Sequence, residues 1–555
     1  MSFVKIKEKV NKPFWKNAYL LSLILLTLIF PNIFYLTHTN APSLLILKYS
    51  AIALLFLLNP IVFFYKNIKI YLYALSFFAL FVPMVCFSIY LFDLKFGARL
   101  ANLVFQTNFE ETKEITQGYR TIFIVVTALY TAIYIFLVKK TTVKAISLRL
   151  ALFLSIISIS IVWGKMFQLK KDFKVTSMYG ILDEYYPMSV ISGTMQALLT
   201  APNNLNEARD FSFHAFKEDS LPTRQIYVLV IGESSRYDHW QINGYNRQTS
   251  PLLSNLHNLI TFPHMAAGAH FTWLSVPQMI TRATPANMEI QYQEKGIMSA
   301  FKDAGFKTIW LSNQDPDYYT GSFTLHAETS DLCLFPGATQ LNAKDPYDER
   351  YLGVIDSLIQ ESSKNLFIIF HTMGSHWDYS KRYPAKFDFF RPSGTSVSIN
   401  PPNSSKKEEI VNSYDNTIRY TDYIIDSVIQ IIRKYNAISY VTYVSDHGED
   451  LFDLNKTQLN FHLSASRNTL HVPYFIWTSN EYNTTYKWKR QNLLKNKNRR
   501  LGENDIFYTL LNMSNISFPQ FDSTNSISSS AFHDSKQEYI EQGASGIHYY
   551  SKLAN

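Results

Sequence analysis

Cysteine is nearly missing from this sequence: 555 residues contain two, Cys86 inside an apolar run and Cys333 far downstream. With one thiol in a candidate membrane span and the other beyond the spans, no disulfide can join them, so the larger part of the chain must be held by its core or by a metal. Charge is also scarce. Only 17% of residues are Asp, Glu, Lys or Arg, against 47% hydrophobic and 15% aromatic, a composition too apolar for an ordinary soluble enzyme. Internal repeats and low-complexity segments are absent, and after Gly164 so is any apolar run long enough to cross a bilayer. The net charge of +8 is unevenly placed: residues 1–165 carry 17 basic and 5 acidic side chains, the remainder 35 and 39. The positive excess therefore belongs to the apolar end, and a nucleic-acid footprint is unsupported.

Before residue 165 stand five apolar runs, Phe14–Leu36, Leu44–Tyr65, Ile70–Phe92, Thr121–Val138 and Ile146–Trp163. Each can cross ~30 Å of hydrocarbon as a helix. Lys5, Lys7, Lys9, Lys12 and Lys16 precede the first run, Lys66 and Lys69 follow the second, and Lys139, Lys140 and Lys144 follow the fourth. Because Lys and Arg stay on the cytoplasmic side, five spans with a cytoplasmic N-terminus place everything after Trp163 outside. A lysine-rich start before an apolar run is also the layout of a signal peptide. No small-x-small cleavage site follows and the run is long, which favours an uncleaved anchor. Residues 1–164 thus read as a five-span domain. Residues 165–220, mixed in polarity with a turn-rich Ala-Pro-Asn-Asn at 201–204, read as a bridge with interfacial helices. Residues 221–555 read as a separate catalytic domain.

In that last part short apolar runs at Ile226–Ile231, Thr308–Leu311, Leu366–Phe370, Tyr440–Val444 and Val472–Trp477 alternate with polar, helix-compatible stretches, the pattern of an α/β/α fold with strands buried on both faces. Ligands bind at the carboxyl ends of such strands. There, Ile231 leads into Glu233, Phe370 into His371 and then His376, and Val444 into Asp446 and His447. Two carboxylates and an imidazole suit zinc, or less well manganese, and a catalytic site keeps a further position for the reacting group. AGAHFTWLSVP at 267–277 supplies Thr272, where a helix N-terminus could favour an anion. The bland readings are a helix cap for Glu233, a structural Asp-His pair for 446–447, and loop hydrogen-bonding for His371 and His376. His239, His264, His270 and His471 read as packing or surface residues. The basic tract KWKRQNLLKNKNRR at 487–500 reads as a solvated face, with contact to anionic lipid or sugar phosphates as the alternative.

GESSRYDHWQINGY at 232–245, T-x-x-S-V-P at 272–277, HTMGSH at 371–376, SDHGED at 445–450, FHLS at 461–464 and DIFYTLL at 505–511 together resemble the phosphoethanolamine transferases of Gram-negative envelopes. The resemblance covers essentially the whole chain, and each motif alone is weak. It implies five inner-membrane spans and a periplasmic domain of the alkaline phosphatase and sulfatase superfamily. It further implies Zn²⁺ held by Glu233, Thr272, Asp446 and His447, with Thr272 as nucleophile. His376 and His462 would contact the phosphoryl group, a second zinc or the leaving oxygen. The expected reaction moves phosphoethanolamine from phosphatidylethanolamine, through a phospho-threonine, to a lipopolysaccharide acceptor.

Two departures bear on that acceptor. Lipid A-modifying relatives carry a cysteine pair flanking the nucleophile, and Gly268 and Gln278 stand in the corresponding places here. The family's substrate-contacting segment corresponds to Thr107 and Glu111, an i,i+4 pair, but the asparagine preceding it is Leu103, with Asn102 adjacent. A core sugar such as heptose is the expected acceptor, lipid A phosphate the alternative, and periplasmic glucans the third. Within the superfamily, sulfate-ester hydrolysis is disfavoured because neither cysteine lies in C-x-P-x-R. Glycerol-phosphate transfer or phosphodiester hydrolysis is an alternative, as is a catalytically silent membrane scaffold. A transporter is disfavoured by spans with few ionisable residues.

Overall fold

The computed structural model describes residues 12–39, 41–92, 94–98, 100–101, 104, 120–143, 145–168, 181–200, 208–316, 322–336, 346–394, 404–454, 459, 461–541 and 546–553. Thr107 and Glu111, with Asn102 and Leu103, lie outside the described residues. The chain divides into two units, Met1–Thr200 and Ala201–Asn555.

The first unit is helical: α1 Lys12–His38, α2 Ser43–Leu58, α3 Ile68–Ala74, α4 Ser76–Phe92, α5 Arg120–Lys140, α6 Leu148–Gln168 and α7 Met188–Thr200. In hydrocarbon every backbone group must be satisfied internally, which helices alone achieve along a single segment. Among the described residues four stretches are long and apolar enough to cross a membrane: Asn17–His38, Ser43–Phe63, Ile68–Tyr90 and Arg120–Lys140. At the fifth expected position stands α6, a helix of 21 residues, whose apolar stretch among the described residues is Leu148–Ile161. Ile122, Leu129, Ile133 and Phe136 of α5 and Phe153 and Ile156 of α6 are exposed, apolar side chains of the kind that lipid covers. Some polar groups between helices are paired, as where the Tyr134 hydroxyl donates to the Leu72 carbonyl at 2.8 Å.

The stretch expected to bridge the domains is shared between the two units. Ile181, Tyr185, Val190 and Ala197 are buried among the membrane helices, and Asn32 of α1 exchanges hydrogen bonds with the backbone of Tyr186 at 2.8 and 2.9 Å. Phe213 and Ala215 join the core of the second unit.

The second unit is built on a seven-stranded sheet whose strands are β1 Gln225–Gly232, β2 Leu259–Thr261, β3 Lys307–Ser312, β4 Leu332–Leu334, β5 Leu366–His371, β6 Ile438–Ser445 and β7 Tyr474–Thr478. Their spatial order is β2-β7-β6-β1-β5-β3-β4. All pairings are parallel except those of β7, which runs antiparallel to β2 and β6. Strand β1 is buried along its whole length because its alternating side chains serve two cores. Tyr227, Leu229 and Ile231 enter one core, with α8 (Thr272–Ile280) and α10 (Asn504–Met513). Ile226, Val228 and Val230 enter the other, beneath the 27-residue α9 (Lys407–Arg433), which contributes Tyr414, Ile418, Ile425 and Ile429. The three-residue strands β2 and β4 were not foreseen.

Candidate metal centre and nucleophile

Adjacency in the sheet assembles the site. Strands β1 and β6 pair with Gly232 opposite Ser445, so the residues that follow, Glu233 and Asp446-His447, leave the sheet side by side. Ser234 turns the chain at a φ of 56°, which aims its backbone N–H at Asp446 Oδ1, 3.1 Å away. The Tyr414 hydroxyl of α9 fixes that turn by donating to the Ser234 carbonyl at 2.7 Å and accepting from the Arg236 N–H at 2.8 Å.

Thr272 opens α8, preceded by an extended Phe271. Its Oγ1 lies 2.6 Å from Asp446 Oδ2, 3.1 Å from Glu233 Oε2 and 3.5 Å from His447 Nε2. His447 Nε2 is 3.4 Å from Glu233 Oε1 and 3.4 Å from Asp446 Oδ2, and the three ligand-type atoms all lie within 4.8 Å of one another. The donor set fits a divalent cation on two counts. Burial, and next the neighbouring Glu233 carboxylate, push Asp446 well above the usual carboxylate range, because two buried anions this close cannot both ionise without a compensating charge. Meanwhile His447 Nδ1 faces the Gly448 carbonyl at 2.8 Å. A proton must sit there, which leaves Nε2 with a lone pair aimed at the cluster.

The other histidines have different placements. His462 stacks on His447 with ring centroids 4.2 Å apart and has Nδ1 3.3 Å from Glu449 Oε1. His376 Nδ1 meets the Trp377 carbonyl at 2.6 Å. Neither joins the cluster of three among the described residues. His371 is fully buried edge-on to Trp310 and Phe323, and burial lowers its pKa to about 4, so it packs as a neutral ring. Of the four histidines read as packing or surface residues, His239 binds Asp415 at 2.6 Å and His471 the Pro263 carbonyl at 2.8 Å. His270 is tied to the site's edge, its Nδ1 2.6 Å from the His462 carbonyl.

Three supporting groups escaped sequence reasoning. Gln314, just past β3, donates to Glu233 Oε2 at 2.9 Å and to the Thr372 carbonyl at 3.0 Å. Glu449 is buried beside the cluster, and burial raises its pKa to about 8. Glu503 lies behind α8: Ser275 Oγ is 2.7 Å from both of its oxygens and 2.5 Å from the Asp446 carbonyl, and the Gly268 N–H donates to Oε2 at 2.8 Å. Glu503 could have been suspected only from its place just ahead of the closing DIFYTLL helix. Positions 268 and 278, where relatives carry cysteines, do face each other: a Cβ on Gly268 would meet Gln278 Oε1 at 2.1 Å. The glutamine fills the space across the loop.

Comparison with known proteins agrees with this architecture. The sulfatase family profile matches residues 225–516. The phosphoethanolamine transferase EptC of Escherichia coli strain K12 is 25% identical over 506 residues, covering 86% of this chain and 85% of that protein. The Kdo(2)-lipid A phosphoethanolamine 7''-transferase of the same organism is 30% identical over 285 residues, half of this chain and 48% of its own. Among solved structures, the integral membrane lipooligosaccharide phosphoethanolamine transferase A of Neisseria meningitidis superposes with a TM-score of 0.69 at 20% identity, covering 92% of this chain and 98% of that one. The periplasmic domain of E. coli EptC in complex with Zn gives a TM-score of 0.54 at 23% identity, covering 61% of this chain and 96% of that domain. A sulfatase-type α/β domain and an apolar helical unit are matched together by these relatives: the chain belongs to the sulfatase family and, within it, to the phosphoethanolamine transferases.

Proposed function

We propose that the protein is a zinc-dependent transferase of the inner membrane that moves phosphoethanolamine from phosphatidylethanolamine to lipopolysaccharide, with a core sugar such as heptose as acceptor. The observation that carries this reading is the convergence of Thr272 Oγ1 on Glu233, Asp446 and His447 within 2.6–3.5 Å. Glu233, Asp446 and His447, with the Thr272 hydroxyl, would hold the ion. Bound there, a divalent cation supplies Lewis acidity that lowers the pKa of a hydroxyl and offsets charge on phosphoryl oxygens.

The chain's own groups account for the remaining steps. Asp446 Oδ2, 2.6 Å from the hydroxyl, takes the threonine proton as Oγ1 attacks phosphorus. The bond from phosphorus to the diacylglycerol oxygen breaks, leaving phosphoethanolamine on Thr272. His462, its ring set by Glu449 and the stack on His447, protonates the departing alkoxide, and His376 is the second candidate for that role. An acceptor hydroxyl then takes the group and frees the threonine, a two-step exchange that avoids a single difficult displacement. Both substrates are membrane amphiphiles. Five spans, a cytoplasmic N-terminus and a periplasmic second unit fit that chemistry, and Thr107 and Glu111 are assigned to the ethanolamine group on the family resemblance.

The test is full-length protein with zinc and phosphatidylethanolamine labelled in its headgroup, followed by mass spectrometry of Thr272 and of lipopolysaccharide. The reading requires label on Thr272 and then on a core sugar. Equal donor cleavage by Thr272→Ala refutes the mechanism, release of glycerol phosphate from phosphatidylglycerol favours the glycerol-phosphate alternative, and label on lipid A phosphate reassigns the acceptor.

A further inference from the structure

A cavity of about 210 Å³ opens within the helical unit, between one end of α1, the start of α2 and the end of α4, and is closed by residues that follow α4 and precede α7. Its apolar wall includes Leu36, Leu45, Val85 and Ile89, yet it also carries a cation and an anion, Lys95 and Glu184. Ionisable side chains among membrane helices are expensive to keep and are a mark of a binding site. The groups around the two charges are those that suit an ammonium and a phosphate. Lys95 Nζ stands 5.8 Å from the Tyr35 ring centroid, and the Tyr49 hydroxyl lies 3.4 Å from Glu184 Oε2; both tyrosines line the space. Ser189 also lines it, 1% exposed, its hydroxyl lacking a hydrogen-bond partner among the described residues. A buried hydroxyl left unmade costs about 1–3 kcal/mol, so its presence at the cavity wall points to an acceptor that the chain itself does not provide.

We infer that this cavity is a headgroup site for a zwitterionic ethanolamine phospholipid, with the phosphate on Lys95 and Ser189 and the ammonium on Glu184 between the Tyr35 and Tyr49 rings. The inference rests on the proposed donor and deepens it by naming a holding site for that lipid in the helical unit, distinct from the reacting position at which Thr272 meets phosphorus and Thr107 and Glu111 are assigned to the ethanolamine. Each partner discriminates by ordinary chemistry. Choline lacks the N–H donors that a carboxylate and a tyrosine hydroxyl accept, and a glycerol headgroup brings no cation to offset Glu184. Aromatic ring faces add attraction for the ammonium. The apolar wall accommodates the first carbons of the acyl chains.

The test uses full-length protein carrying Thr272→Ala, so that binding is read without turnover, in nanodiscs of phosphatidylethanolamine, phosphatidylcholine and phosphatidylglycerol in equal parts. Native mass spectrometry then counts the lipid retained after mild detergent extraction. The expected result is selective retention of the ethanolamine lipid, falling at least tenfold on adding either Lys95→Gln or Glu184→Gln. A diazirine-bearing phosphatidylethanolamine should crosslink the unsubstituted chain within residues 31–49, 85–96 or 184–189, which guards against misfolding of a variant. Equal retention of all three lipids, unchanged retention in both variants, or crosslinks confined to other segments would overturn the site. The two readings fail separately: selective retention by a protein that transfers nothing keeps the site and sinks the transferase, whereas transfer with unselective retention does the reverse.

Discussion

The proton count around Ser275 makes a strong demand on Glu503. Ser275 Oγ lies 2.5 Å from the Asp446 carbonyl, which can only accept, and 2.7 Å from Glu503. A hydroxyl has one proton to give. If Ser275 gives it to Asp446, Glu503 must donate to Ser275, and it can do so only as a neutral acid. Oε2 accepts the Gly268 N–H at 2.8 Å, which leaves the acid proton on Oε1. Burial accordingly pushes Glu503 well above the usual carboxylate range. Glu503→Gln reproduces every bond, with its amide oxygen toward Gly268 and its NH₂ toward Ser275, and near pH 4 should leave thermal stability within about 1 kcal/mol of wild type. Glu503→Ala strands the Gly268 N–H and the Ser275 hydroxyl, each at about 1–3 kcal/mol, and opens a void. Roughly 3–5 kcal/mol should be lost, with kcat falling further than KM changes because Ser275 sits one turn after Thr272 in α8. The sign with pH follows from a pKa raised in the folded state. The acid's contribution is complete below the unfolded value near 4 and is lost as pH rises through the folded value, so wild type and Glu503→Gln should melt together near pH 4 and separate as pH rises, with wild type the weaker. Melting curves and initial rates on purified full-length protein decide the matter. A glutamine variant as damaged as the alanine variant would mean that Glu503 is ionised and that the hydrogen-bond chain runs the other way.

Stripping divalent metal should lower the melting temperature at neutral pH, because a ligand present at a thousand times its Kd adds about 4 kcal/mol; a chelator that leaves the melt unchanged argues against a bound ion at Glu233, Asp446 and His447. Gly374 adopts a φ of 48°, and a Cβ there would sit 3.0 Å from the backbone N and O of Glu233, so Gly374→Ala should cost about 1–3 kcal/mol and reduce turnover, read by melting and by donor cleavage. Asp422 accepts the N–H groups of Leu252 and Leu253 at 3.0 and 2.9 Å, and burial raises its pKa to about 7. Its contribution is full below the unfolded value near 4 and is lost as pH climbs to 7, by on the order of 4 kcal/mol at most. Asp422→Asn should therefore gain on wild type across that interval in paired melts, and a pH-independent difference would contradict the burial argument.

Much of the site could be read from the chain because parallel strands deliver their next residues to one edge. The buried runs ending at Ile231 and Val444 are neighbours in the sheet, and Glu233, Asp446 and His447 follow from that adjacency. Strands β2 and β4 were hidden because three residues cannot display a period. Gln314, Glu449 and Glu503 were illegible for another reason. Glu503 meets Gly268 across 235 positions, and nothing local distinguishes it from a surface acid. Likewise, His371 occupies a motif at a strand end like the true cluster members, but its ring turns into the aromatic layer of Trp310 and Phe323, a choice made by packing alone.

The Gly268–Gln278 facing pair changes how the protein must be made. Its nucleophile segment is secured by a carboxylic acid, a serine and a glutamine, none of which depends on an electron acceptor. Maturation thus needs no dithiol oxidase, and cells grown with a permeant reductant should still accumulate active protein.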